Sequence, residues 1–188
     1  FVLAIRHALL LEPLPSRDDP AGQFPLTLPS LDEMIRQARE FVAAEVPFGA
    51  LAEALRTADP DDPASELQQV MHELFSLEEQ TAQAADMIER SARELPELAD
   101  LLNSGLRWPV LDALTQYLDS RAKAGKLRRT PDTAATARLV LETLTWFARH
   151  RHSDPYGAAI PSELARETVV DALLHALVPP QHFAQERP

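Results

Sequence analysis

The chain has no cysteine, so disulfides and thiolate metal sites are excluded, and nothing in its redox chemistry places it outside the cell. No apolar run reaches the length of about 18 residues that a membrane span needs. The apolar opening FVLAIRHALLLEP lacks a small-residue cleavage site and meets proline, so it reads as the end of a helix rather than a signal peptide. No segment has the length and alternation of a sheet-forming strand. Bases are scarce as well: 18 Lys and Arg stand against 29 Asp and Glu, a formal charge of -11. Such a surface repels phosphate and makes a poor nucleic-acid footprint by itself. The imbalance is local, with twelve acids between Thr57 and Asp100 against Arg90 and Arg93. The opposite cluster, Arg121, Lys123, Lys126, Arg128 and Arg129, falls at the end of a helix, where it answers the helix dipole.

What is present is helical. With 188 residues the chain can bury a sizeable core without staples. Val2, Leu3, Ile5, Leu9 and Leu10 give residues 1–12 a helical apolar face, and five prolines make 13–30 a surface loop. Ser30 and Glu33 open a helix with a capping box. Pro47 interrupts it, and ADPDDP ends the next apolar face. Asp62 and Pro63 then start a helix that meets neither proline nor glycine from Ala64 to Glu94. Pro96 starts a short helix that Gly105 would end. The helix from Trp108 runs to a cap at Gly125. Thr130, Pro131 and Asp132 begin a helix over 131–152, and Ser162 caps a last one over 162–178. The residues from 180 to 188 read as a frayed tail.

The last two helices are apolar around most of their circumference. Such helices demand cover on all sides, and a second copy is the commonest source of it. The expected fold is all-α: an antiparallel bundle of about eight helices, whose last two form a four-helix dimer interface. Leu139, Leu144, Trp146, Val169, Leu173 and Leu177 are the candidate seam residues.

Motifs for chemistry are missing. His72 has no second histidine at a ligand spacing, His150 and His152 point to different helix faces, and Glu78 and Glu79 lack the Glu-x-x-His partners of a di-iron bundle. Nucleophile-elbow, dinucleotide-binding and phosphate-loop patterns are absent too. No metal or cofactor is therefore expected, and the chain does not read as an enzyme. A small-molecule pocket between helices fits the composition better. Phe41, Phe48, Leu51, Met71, Leu74 and Phe75 would line it from the earlier helices. Trp108, Leu111, Thr115, Tyr117 and Phe147 would line it from the later ones. Tyr117, Thr115, Gln68 and His72 could orient a mostly apolar or aromatic guest.

The stretch ERSARELPELADLLNSGLRWPVLDALTQYLDSRAKAGKLRRTPDTAATARLVLETLTWFARHR, with the closing VVDALLHALVP, resembles the C-terminal regulatory domain of TetR-family transcriptional regulators. The matching features are Pro96 after the long helix, Gly125–Arg128 before a capped helix, Asp132, Ala134 and Ala135 at its start, and Leu173, Leu174 and Leu177 in the last one. The likeness covers about residues 85–179. It implies a cytoplasmic homodimer, with no membrane role, that binds a small apolar or aromatic effector within residues 31–179. Residues 1–12 would be the end of a connecting helix from a helix-turn-helix head that this chain lacks. Operator DNA would be reached only through that head. The remaining alternatives are a ligand-free helical interaction domain and, further off, a small helical enzyme.

Overall fold

The computed structural model describes Arg36, residues 49–93, 99–100 and 103–180. The expected connecting helix, the proline-rich loop, the helix opened by Ser30 and the tail beyond Pro180 lie outside the described residues, as do Phe41 and Phe48. Five α-helices have their bounds here: α1 (Gly49–Arg56), α2 (Pro63–Ser91), α3 (Trp108–Lys123), α4 (Thr133–Ala148) and α5 (Ser162–Leu177). A π-helical turn occupies Asn103–Arg107, and 3-10 turns occupy His150–Ser153 and Gly157–Ala159. No strand occurs among the described residues, so the fold is all-α.

The chain divides into two compact units. One holds residues 48–79 and 108–188, hence α1, the first half of α2, and α3 to α5. The other holds 1–47 and 80–107, hence the second half of α2, where Ala85 and Ile88 are buried, and the π-helical turn.

Local chemistry sets the helix ends. The Asp62 carboxylate accepts from Ala64 N–H and Ser65 N–H, both at 3.0 Å, and Pro63 occupies the first position, where its missing N–H is no loss. Asp132 caps α4 by accepting from Ala135 N–H at 2.8 Å. Gly125 closes α3 at φ +74°, the left-handed conformation in which the Lys126 N–H reaches Arg121 O at 2.9 Å.

Two expected boundaries differ. Gly105 does not end a helix: it lies inside the π-helical turn, which runs directly into α3. Pro109, second in α3, cannot donate to the carbonyl four residues back and its ring crowds it, and a widened turn just upstream relieves both problems. Ser162 is the first residue of α5 rather than its cap, which is Pro161. The Ser162 hydroxyl instead accepts from the Arg151 guanidinium.

In the first unit α3 packs on α1 and α4, and α4 packs on α5. Leu67, Val70, Met71 and Leu74 of α2, Leu114, Tyr117 and Leu118 of α3, Val140, Leu141 and Leu144 of α4, and Val169, Val170 and Leu173 of α5 form its buried apolar set. Helices α4 and α5 are antiparallel. Arg128 N–H, ahead of α4, donates to Leu177 O at the end of α5 at 2.8 Å, and Arg151, just past α4, reaches Ser162 at the start of α5.

The corner between them is built on Arg151. Its guanidinium is fully buried, donates to Ile160 O at 2.9 Å, and lies 3.5 Å from Glu79, while its Nε has no hydrogen-bond partner. Gly157 packs directly on this residue: a Cβ there would stand 2.7 Å from Arg151 O and 3.0 Å from its Cα. Gly157→Ala should therefore cost roughly 1–3 kcal/mol, as overpacking does, and lower the urea midpoint. An unchanged midpoint would show that the corner relaxes freely.

Candidate functional site

The polar centre of the larger unit is a buried arginine. Arg121, near the end of α3, keeps 3% of its surface, and its Nε and Nη2 meet the two oxygens of Glu66 at 2.7 and 2.8 Å. The same Nη2 reaches Ala54 O at 2.6 Å and Thr57 O at 2.8 Å, carbonyls at the end of α1 that have no partner within that helix. One guanidinium thus joins α1, α2 and α3. At the other end of α1, Glu73 of α2 accepts from Ala50 N–H at 2.9 Å, a carboxylate set against the positive end of a helix. Glu66 and Glu73 lie seven residues apart on α2. That is about 10.5 Å of helix rise, close to the length of an eight-residue helix.

Tyr117 lies one turn before Arg121, which sits 5.2 Å from its ring centroid. The phenol is fully buried and its hydroxyl has no partner at hydrogen-bond geometry. Burial first, and the Glu66 carboxylate next, push it well above the usual phenol range, so it stays neutral.

Three more residues of the expected basic patch are similarly occupied. Lys126 pairs with Asp59 at 2.7 Å and holds that carboxyl below its ordinary value, first through its hydrogen bond. Lys123 pairs with Asp119, and Arg128 reaches Ala176 O at 3.4 Å at the end of α5. Arg128 and Lys126 thus act at helix ends and on acids, and Arg121 does so from inside.

The expected pocket residues fall into two groups. Leu51, Met71, Leu74, Phe75 and Tyr117 are closed to water, each with at most 1% of its surface left. Leu111, Thr115 and Phe147 are half-buried and Trp108 is exposed. The Thr115 hydroxyl donates to Leu111 O at 2.6 Å within its own helix. Gln68 is exposed and His72 half-buried. Among the described residues no group of three metal-ligating side chains forms, and no helix is long and apolar enough to cross a membrane.

The candidate seam residues also divide. Leu144, Val169, Leu173 and Leu177 are buried by the chain's own packing. Leu139 and Trp146 are not: they keep 62% and 40% of their surface. Leu164 of α5, which periodicity did not single out for the seam, keeps 53%. Helices that read as apolar on every side thus bury one face and leave the other uncovered. Sequence reasoning also missed Glu66, Glu73 and Arg151, whose partners are distant along the chain. Only the isolated acid and base inside amphipathic patterns hinted at them.

No protein-family model matches the chain, and no curated protein matches it.

Two measurements test this polar scaffold. Arg121→Met leaves Glu66 and two carbonyls without their donor and should cost about 3–5 kcal/mol in urea denaturation. Arg121→Lys, which keeps the charge but loses the planar fork, should recover only part of it. The second concerns His72, whose imidazole is held below its usual 6.5 by burial first and the Arg166 guanidinium next, with Glu167 acting oppositely. The folded chain then takes up this proton less readily than the unfolded one. Its contribution to stability is present above about pH 6.5 and is lost as the pH falls through the lowered folded value. His72→Gln should reduce the drop in urea midpoint between about pH 7.5 and pH 5.5, and an identical drop would remove His72 from the account.

Proposed function

We propose that this chain is the effector-sensing and dimerisation domain of a one-component transcriptional repressor of the TetR type, at work in the cytoplasm as a homodimer. The observation that carries the reading is the uncovered apolar face on the last two helices, Leu139 and Trp146 on α4 with Leu164 on α5. It coincides with the segment whose sequence resembles the regulatory domain of those proteins. Two hairpins face to face would make the four-helix interface of a bundle of about eight helices per copy. The acidic body suits a part of a regulator that does not touch DNA. Operator DNA would be read by a helix-turn-helix head outside these residues.

The effector in this reading is a small apolar or aromatic molecule, bound among α1, α2, α3 and α4. Leu111, Thr115, Phe147 and the exposed Trp108 are the lining residues with surface open to it. Leu51, Met71, Leu74, Phe75 and Tyr117 are packed shut. Effector binding there favours a more open conformer, and it shifts the regulator only by its differential affinity for that conformer. The closed packing of those five residues also favours a second reading, a helical interaction domain without a ligand.

A thermal-shift screen of apolar and aromatic compounds separates the two. A genuine effector at a hundred times its Kd adds about 2.7 kcal/mol, roughly 5–10 °C in Tm for a chain of this size. Leu111→Arg should abolish that shift. A screen in which no compound moves Tm would overturn the sensor and leave the interaction domain.

A further inference from the structure

Among the described residues expected to line a pocket, Tyr117 alone joins complete burial to a polar tip. Leu51, Met71, Leu74 and Phe75 are as closed to water but carry no hydroxyl, amide or charge. Thr115 is half-buried, and its hydroxyl already donates to Leu111 O at 2.6 Å.

The Tyr117 hydroxyl has no hydrogen-bond partner. The charged groups beside it are turned to each other. Glu66 gives both carboxylate oxygens to Arg121, at 2.7 and 2.8 Å, and the same Nη2 continues to Ala54 O and Thr57 O. Arg121 meets the face of the Tyr117 ring, 5.2 Å from its centroid. Buried hydroxyls in folded proteins are nearly always bonded, because an orphan keeps the whole cost of leaving water. Phenylalanine would fill the same space without that cost, so packing alone does not account for the oxygen. The cost is recovered when an acceptor arrives.

The surroundings limit what can arrive. Burial and the Glu66 carboxylate keep the phenol protonated, so it has a proton to offer. The charge of Arg121 is met by Glu66, so an incoming anion would find a carboxylate nearby and no uncompensated base. The other candidate lining residues are mostly apolar or aromatic.

We infer that the effector is an uncharged apolar or aromatic molecule with a ketone, ester or ether oxygen, and that Tyr117 selects it by donating a hydrogen bond to that oxygen. The inference rests on the sensor reading above and adds the polar group that the guest carries. Guests of one shape demand the same opening of the packed core, and only the one with an acceptor satisfies the orphan.

Matched probes test it. Acetophenone and ethylbenzene differ in a carbonyl, as do benzophenone and diphenylmethane. A ketone is also the better solvated in water, so the readout is the ratio of the two Kd values, in the unsubstituted chain and in Tyr117→Phe. Thermal shifts over a concentration series supply those values. Tyr117→Phe should raise the ketone's Kd about tenfold and leave the hydrocarbon's unchanged. With no guest, the same substitution should keep or raise the urea midpoint, because it removes an orphan. A lowered midpoint shows that the hydroxyl already has a partner and overturns the inference. A ratio that the substitution leaves unchanged overturns it while the sensor stands, and so does benzoate that binds as tightly as acetophenone. If no ketone or hydrocarbon moves Tm, the sensor falls and this inference with it.

Discussion

The buried guanidinium of Arg121 is the constraint on which the larger unit depends. A charge removed from water is costly unless it is paired and hydrogen-bonded, and here the acceptors come from two helices other than its own. Glu66 supplies both carboxylate oxygens, and the end of α1 supplies two carbonyls. Because the same group satisfies the charge and the helix end, α1 cannot move away from α3 without leaving both unsatisfied. Glu73 holds the opposite end of α1 through Ala50. A short helix with only Leu51 and Ala54 buried has little apolar packing to fix it. Its position is set by two carboxylates on α2 and the arginine between α2 and α3.

The polar scaffold also explains part of the chain's acidity. Glu66, Glu73 and Glu79 each work inside the molecule, at an arginine or a helix N-terminus. The acids therefore do more than keep the surface soluble. They direct the ends of α1 and the corner after α4, where apolar contacts alone leave direction undetermined.

Features whose causes are local were legible in the sequence. Asp62, Asp132 and Gly125 act within three or four residues of their own positions, and the sequence assigned all three helix ends to them. Gly105 and Ser162 went the other way for reasons a local pattern does not contain. The first depends on how a turn accommodates Pro109, and the second on a guanidinium eleven residues away that takes its hydroxyl. The periodic apolar residues of α2 and α3 suit a pocket and a packed core equally well, because burial and ligand contact select the same side chains. On α4 and α5, hydrophobicity around the helix indicated that something must cover it without saying which face the chain itself covers. Leu144 and Leu173 lie on one side of that division, Leu139 and Trp146 on the other.

The corner after α4 has a consequence for how this chain can vary over generations. Arg151 needs the Ser162 hydroxyl and the Ile160 carbonyl, and its backbone leaves room at position 157 for hydrogen alone. A side chain at 157 displaces the arginine, a smaller residue at 151 strands Glu79 and opens a void, and an apolar residue at 162 removes an acceptor. Positions 151, 157 and 162 therefore resist drift one at a time. Distant descendants of this sequence would keep all three together, or exchange the corner for another in a single step.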